Sequence, residues 1–150
     1  MKKFFSLGLI ATVLAVFTFS SCSKDDDDDS IVGKWALTSM KLEGNGISFS
    51  YDVDEGYSET LEFKSDGTCI STSEFDGDKD VATGKYSVSG NVLSVTDEDG
   101  TEKINFSVSG NTLTLYNEGY YDASEDEFLE TQPAGKDYPK VKMSMIYKRK

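Results

Sequence analysis

The chain has 150 residues, of which 27 are acidic, 15 are basic and none is histidine, so its formal net charge is −12 at pH 7. Nucleic-acid binding needs clustered Lys and Arg, and this charge balance argues against such a partner. The lack of histidine excludes Ser-His-Asp and Cys-His catalysis and the usual zinc sites. No spacing among the carboxylates selects a catalytic pair, so we expect neither an enzyme nor a cofactor.

Residues 1–21 are typical of an export signal. Lys2 and Lys3 precede an apolar run that ends at Phe19, which is shorter than the roughly 20 residues of a bilayer-spanning helix. Small residues then lead into Cys22, and the segment resembles the bacterial lipobox. The resemblance implies cleavage before Cys22 and attachment of a diacylglycerol thioether to it, with palmitate as the expected acyl chain. The mature chain would then be anchored in a membrane.

Residues 22–30 are predicted to form an acidic tether. Ser23, Lys24, Asp25 and Asp26 resemble the export tether of surface lipoproteins in one group of Gram-negative bacteria. The alternative is a plain solvated spacer, because adjacent aspartates repel one another and cannot be buried. We therefore expect a lipid anchor in the outer membrane with display on the cell surface, or else anchoring that faces the periplasm.

Residues 31–150 are predicted to form one all-β domain, because period-2 patterns bounded by turn residues recur along them and no helical period is sustained. Eight short consecutive strands favour an antiparallel up-and-down barrel, which leaves no exposed edge. The strands are expected at 34–42, 58–64, 68–74, 83–88, 92–96, 102–108, 112–116 and 141–148.

The predicted connections fall into two classes. Three are tight turns, at 65–67, 89–91 and 109–111. Four are long loops, at 43–57, 75–82, 97–101 and 117–140. Successive connections of an up-and-down barrel alternate between its ends, so all four long loops are expected at one end, here called the loop-rich rim. The three tight turns define the other end, here called the closed end.

Four segments resemble, in order and spacing, the lipocalin-like lipoproteins of Gram-negative bacteria. They are 32–35, 63–68, 84–91 and 147–149. The resemblance implies a lipocalin-like barrel over 31–150. It also implies that Trp35, from the Gly33-Lys34-Trp35 motif, plugs the closed end while Arg149 packs across the ring in a cation–π contact.

The inward face is expected to be apolar and well filled, because an eight-stranded barrel is just wide enough for side chains to fill it. This predicts a packed core without a deep cavity, or at most a shallow cup at the rim. Cys69 is interpreted as a small strand residue, since no histidine could activate it. The residues predicted to point inward are Trp35, Leu37, Leu61, Phe63, Ile70, Tyr86, Val88, Leu93, Val95, Ile104, Phe106, Val108, Leu113, Leu115, Met143, Met145 and Tyr147.

The loop-rich rim is acidic and carries interspersed aromatic residues, which suit small-molecule and protein contacts. Alternatively, these rings only fold the loops and the carboxylates only keep the protein soluble. A weak calcium candidate is formed by Asp76, Asp78 and Asp80, although the EF-hand pattern fails at Val81 and Ser87. The candidate ligand or partner residues of the rim are Tyr51, Tyr57, Phe75, Tyr120, Tyr121 and Phe128.

Two functions remain open from the sequence. The first is a monomeric binding protein that meets a small amphipathic or cationic ligand at the loop-rich rim. The second is a solid barrel that acts as a protein-interaction module through 117–140.

Overall fold

The computed structural model describes residues 30–53 and 55–150, and all the regular secondary structure in these residues is β-strand. The ten strands are β1 (Gly33–Gly44), β2 (Ile47–Asp52), β3 (Tyr57–Phe63), β4 (Thr68–Phe75), β5 (Asp78–Ser89), β6 (Val92–Thr96), β7 (Thr101–Ser109), β8 (Thr112–Asp122), β9 (Glu127–Leu129) and β10 (Lys140–Arg149).

Eight of these strands close into an antiparallel barrel. The order is β1, β3, β4, β5, β6, β7, β8 and β10, and β10 pairs with both β8 and β1. Closure brings Trp35 opposite Arg149 on one side of β10 and Thr112 opposite Lys148 on the other. The predicted all-β, eight-stranded antiparallel barrel is therefore confirmed.

The strands form where apolar and polar residues alternate. In β8, Leu113 and Leu115 are buried, whereas Thr112 and Thr114 are partly exposed. At the closed end, two successive hairpins turn through Gly-Asn pairs, and Gly90 and Gly110 have φ values of 60° and 55°. Glycine adopts this left-handed conformation without steric cost, so it suits these tight turns.

Three barrel strands, β1, β8 and β10, continue past the barrel at the loop-rich rim, and two of them acquire extra partners. The far half of β1 pairs with β2, and the end of β8 pairs with β9. The resulting order β2–β1–β10–β8–β9 is called the five-stranded extension below. The expected loops 43–57 and 117–140 thus contain strands, and the missed signal for β2 is Asn45-Gly46, a favoured hairpin dipeptide.

The predicted long loop at 75–82 is wrong. Strands β4 and β5 extend through it and are joined by a tight turn at Asp76-Gly77, with φ values of 50° and 90°. Asp-Gly is another hairpin signal, and the opposite charges of Glu74 and Lys79 lie across from each other. The segment is polar because it forms an exposed hairpin.

The main core fills the closed end, where Trp35, Phe63, Leu93, Leu113 and Tyr147 are the largest fully buried side chains. Partly buried apolar residues, including Ile104 and Phe106, pack against this core. Stacked inward positions on neighbouring strands create this continuous apolar layer, as expected for a small barrel.

Two residues depart from the predicted inward face. Cys69, not Ile70, is buried, because Cys69 pairs with inward-facing Phe63 while Ile70 pairs with Glu62. Burial raises the pKa of the Cys69 thiol to about 12, so the thiol stays protonated. Val88 faces the same way as buried Leu93 but is 45% exposed, because it lies near the end of its strand.

The export signal, Cys22 and the tether residues Ser23, Lys24, Asp25 and Asp26 lie outside the described residues, so their roles stay predictions. Across 30–53 and 55–150, no helix has the length and hydrophobicity needed to cross a bilayer.

Candidate functional site

The closed end is sealed by Trp35 and Arg149. The Arg149 Cζ atom lies 4.2 Å from the centroid of the Trp35 ring. Arg149 Nη1 and Nη2 each donate at 2.9 Å, to the carbonyl oxygens of Val32 and Ser30 respectively. Trp35 Nε1 donates to the carbonyl of Ile31 at 2.8 Å. These bonds hold the start of the described chain against the closed end.

Gly33 allows this close approach. Its φ is 139°, and a Cβ atom there would lie 2.6 Å from Arg149 Nη1. Any larger residue would both strain the backbone and displace the guanidinium from the tryptophan ring. Gly33 is therefore a structural residue of the closed end.

A cavity of about 180 Å³ lies inside the barrel, so the structure favours the cup that the sequence left open over a completely packed interior. Small inward residues on β4 and β5, namely Ser71, Ser73 and Ala82, leave this space between the closed-end core and the loop-rich rim. The lining residues are Tyr57, Glu59, Leu61, Phe63, Cys69, Ser71, Ser73, Asp80, Ala82, Leu93, Val95, Glu102, Ile104, Leu115, Met145 and Tyr147.

Glu59 provides the central polar group of the cavity. Tyr147 Oη donates to its Oε1 at 2.7 Å, and Tyr57 Oη donates to its Oε2 at 2.8 Å. Burial and the adjacent Glu59 raise the pKa of both phenols, so both remain protonated donors. Sequence reasoning missed Glu59, although its position two residues before Leu61 places it in phase with the inward face.

Two further carboxylates line the cavity nearer the loop-rich rim. Asp80 lies on β5, and Glu102 lies on β7. The pKa of Glu102 is raised, chiefly by burial and further by Glu130 and Asp97 nearby. Of the described residues that line the cavity, none is basic. The electrostatic potential in the cavity is therefore negative.

The aromatic residues of the rim form two groups. On one side, Tyr57 lines the cavity and pairs across the strands with Phe75, which is 63% exposed. On the other side, the five-stranded extension carries Tyr51, Tyr121 and Phe128, in positions that continue the inward face of the barrel. Of the six predicted rim aromatics, Tyr57 alone is among the described residues that line the cavity.

Phe49 and Tyr120 change the predicted aromatic set. Phe49 joins the extension group, with ring centroids 6.3 Å from Tyr51 and 6.0 Å from Tyr121. Phe49 lies in the same predicted loop as Tyr51 but is absent from the predicted set. Tyr120 alternates with Tyr121 along β8 and faces the other way, opposite Lys140 and Leu129.

The 117–140 segment is packed against the extension. Tyr121 is buried with Leu42 and Val141 in a second cluster that also includes Phe128. Tyr121 Oη donates to Asp126 Oδ1 at 2.7 Å. The backbone nitrogen and hydroxyl of Ser124 donate to Asp122 Oδ1, and hydrogen bonds from Ser124 and Tyr138 lower the pKa of Asp122 to about 2. These contacts order the segment over one side of the mouth.

The weak calcium candidate is not supported. In the part of the chain that the structure describes, no group of three or more acidic or thiol side chains is arranged to hold a metal ion. Asp76 lies in the turn, while Asp78 and Asp80 lie along β5 opposite Phe75 and Ser73. The extended strand spreads their carboxylates apart, and Asp80 lines the cavity instead.

Comparisons with known proteins agree with this architecture. The family model described as a lipocalin-like domain matches residues 31–115, which is more than half of the chain. No curated protein and no solved structure matches the chain. Members of the matching family are typically non-catalytic, and their barrel suggests small-ligand binding in general. With its closed eight-stranded barrel and this match, the chain belongs to the lipocalin-like domain family.

Proposed function

We propose that this protein is a non-catalytic binding protein that takes a small amphipathic ligand into the barrel through the loop-rich rim. The observation that carries the proposal is the cavity of about 180 Å³. Apolar side chains such as Leu61 and Leu93 form its deeper wall, and the Glu59 carboxylate with its two tyrosines supplies a fixed polar group. Apolar walls with a few convergent polar groups are typical of small-molecule sites.

The ligand enters from the loop-rich rim. The opposite end is closed by Trp35, which is fully buried beneath Arg149. At the rim, Asp80 is exposed and also lines the cavity, so the cavity reaches solvent there. Because the two ends differ in this way, we expect the ligand to enter at the loop-rich rim.

The cavity encloses a small ligand or only part of a larger one. Its volume of about 180 Å³ is below the roughly 300–1,000 Å³ of pockets that bury drug-sized molecules. A part of the ligand that projects from the cavity would meet Tyr57 and Phe75 on one side of the mouth. Tyr51, on the five-stranded extension, is 47% exposed.

We place the protein at the outer membrane, anchored by lipid on Cys22 and displayed on the cell surface. The support is the lipobox-like sequence, together with the Lys24-Asp25-Asp26 run that follows it. Arg149 holds Ser30 at the closed end. Residues 22–30 span at most about 30 Å when extended, so the closed end would stay near the bilayer.

The cavity proposal is tested by filling the space. Ala82→Phe puts a large ring into the cavity, whereas Thr83→Phe adds the same ring on the outward face of the same strand. We expect saturable fluorescence enhancement of a neutral solvatochromic dye by the full chain, loss of it in Ala82→Phe and retention in Thr83→Phe. Equal dye binding by both variants and the parent chain would place the dye elsewhere and overturn the cavity proposal.

The alternative function, an interaction module acting through 117–140, is less favoured because the barrel contains a cavity. Part of that segment also packs onto the extension through Tyr121 and Phe128. Deleting the exposed stretch 130–137 should therefore leave dye binding intact, because none of these residues lines the cavity.

A further inference from the structure

The cavity lining is layered by charge from its floor to its mouth. The deepest positions carry Leu61, Phe63 and Leu93, which are buried. Glu59 lies two residues closer to the rim than Leu61 on β3, and Asp80 and Glu102 lie at the rim-side ends of their strands. A ligand that fits this gradient has an apolar body and a head group that pairs with carboxylates.

The charge of the lining selects against anions. The described lining residues include three carboxylates and no lysine or arginine. A fatty-acid carboxylate would be placed among like charges in a partly buried space, where screening by solvent and salt is reduced. A neutral hydroxyl head group could donate one hydrogen bond to Glu59 but would gain no attraction between opposite charges. Only a cation gains from all three carboxylates.

The hydrogen-bonding capacity of Glu59 matches an ammonium group. Each of its carboxylate oxygens accepts one bond from a tyrosine hydroxyl, which leaves further acceptor positions on both oxygens. An ammonium group has three donors and no acceptor. The hydroxyls of Ser71 and Ser73 line the same cavity and can accept the remaining N–H bonds. The tyrosines hold the Glu59 carboxylate in position before the ligand arrives.

The geometry points to a protonated primary amine on a short apolar body as the ligand of this cavity. This inference rests on the proposed function and adds to it the chemical class of the ligand. The ammonium group binds beside Glu59, and the apolar body packs toward Leu61 and Leu93. The volume of about 180 Å³ excludes a long acyl chain from the interior.

The test compares three probes of equal length, hexylamine, hexanol and hexanoate, with the purified full chain carrying ¹³C-methyl methionine. Met145 lines the cavity, whereas Met143 belongs to the second cluster, so their methyl resonances separate cavity binding from other binding. We expect hexylamine to shift Met145 saturably, hexanol to bind at least about tenfold more weakly and hexanoate to bind least, because only the ammonium adds attraction between opposite charges to the hydrogen bond.

Glu59→Gln and Glu62→Gln form a matched pair. Both remove one negative charge from β3, but Glu62 points outward and does not line the cavity. We expect Glu59→Gln to weaken hexylamine binding about tenfold and to remove the preference over hexanol, while Glu62→Gln changes neither. An unchanged Met143 resonance verifies that each variant is folded. Glu102→Gln, which does not disturb the tyrosine bonds, should weaken hexylamine binding in the same direction.

The outcomes separate this inference from the proposed function. Equal or tighter binding of hexanol or hexanoate would overturn the amine assignment and leave the cavity proposal standing. Equal weakening by Glu59→Gln and Glu62→Gln would show attraction by overall charge and would also overturn the assignment. If the solvatochromic dye and all three probes fail to bind, both proposals fall.

Discussion

At the residue scale, a few side chains close one end of the barrel and place a polar group in its cavity. At the closed end, the Arg149 guanidinium covers Trp35 and bonds two backbone carbonyls, so that end has no opening. In the cavity, the hydroxyls of Tyr57 and Tyr147 hold the Glu59 carboxylate. A charged group persists in such a partly buried place only when it is well hydrogen-bonded.

The close packing of Gly33 against Arg149 can be tested with two glycines of nearly equal φ. Gly33→Ala and Gly100→Ala share the backbone strain, since their φ values are 139° and 140°, but only Gly33 has a neighbour within 4 Å of the added Cβ. We expect Gly33→Ala to lose about 1 kcal/mol more stability, because it also disrupts the cation–π contact. Urea unfolding measures the difference. Equal losses would mean that the Arg149 contact contributes nothing to stability.

Removing the Tyr147 hydroxyl tests the bond to Glu59. Tyr147 is 1% exposed, and Tyr147→Phe keeps its ring. We expect a loss of about 1–3 kcal/mol near neutral pH, because a charged hydrogen bond is removed. Thermal or urea unfolding of the two chains gives the value, and a loss below about 0.5 kcal/mol would be inconsistent with a charged bond.

The same tyrosine gives a pH dependence with a defined sign. Burial and Glu59 raise the folded-state pKa of Tyr147 well above its ordinary value of 10.0. Below pH 10 both states keep the proton and the stabilisation is complete, whereas above pH 10 the unfolded state loses its proton first and stability falls. We expect a steeper decline above pH 10 in the parent chain than in Tyr147→Phe. Parallel declines in urea-unfolding free energy would contradict the assignment.

At the scale of elements, the barrel and the five-stranded extension have separate cores. Trp35 and Leu113 belong to the main core, whereas Leu42, Tyr121 and Val141 form the second cluster. Strands β1, β8 and β10 run through both. The small second cluster is joined to the barrel by continuous strands, so we expect it to open locally while the barrel stays folded.

Hydrogen exchange with Leu42→Ala and Leu113→Ala tests this division. Leu42 is 7% exposed and Leu113 is fully buried, so each truncation removes core packing. We expect Leu42→Ala to speed exchange mainly in β2 and β9, because it weakens only the second cluster, and Leu113→Ala to speed exchange across the barrel. Each truncation should cost about 2–5 kcal/mol within its own unit. Uniform acceleration in both variants would show one cooperative core.

At the scale of the whole molecule, the two ends of the barrel have different surroundings. The bonds from Arg149 hold Ser30 at the closed end, and the predicted lipid on Cys22 is only a short tether away. The cavity mouth and the aromatic groups lie at the opposite end. A lipid-anchored chain of this shape would turn its mouth away from the bilayer.

Accessibility on intact cells tests this orientation. Single-cysteine labelling sites at Gly135 and at Gly90, introduced with Cys69→Ser, probe the rim and the closed end; both glycines are exposed. We expect faster labelling by a bulky membrane-impermeant maleimide at residue 135, because in the proposed orientation the closed end would face the membrane. The purified chain supplies the control rates. The reverse order on cells would overturn the orientation, and no labelling at either site would favour the periplasm-facing anchor.

Local patterns determined most of the fold and little of the site. The alternation of apolar and polar residues predicts the strands, and turn dipeptides predict the closed-end turns. Both signals are local properties of the chain. They could have revealed β2 as well, since Asn45-Gly46 precedes it. The adjacent residues Cys69 and Ile70 are both apolar, so alternation alone does not determine which of them faces inward. The pairing of β3 with β4 decides this, because it places Cys69 opposite Phe63.

The sequence by itself indicated the all-β barrel and excluded histidine chemistry, and its family resemblance implied the contact between Trp35 and Arg149. Only the tertiary structure decided that the interior contains a cavity, because its volume depends on small inward residues that lie side by side on the paired strands β4 and β5. Only closure also brings Tyr147, 88 positions away, to Glu59. The candidate binding site thus depends on a long-range arrangement of residues that are far apart in the sequence.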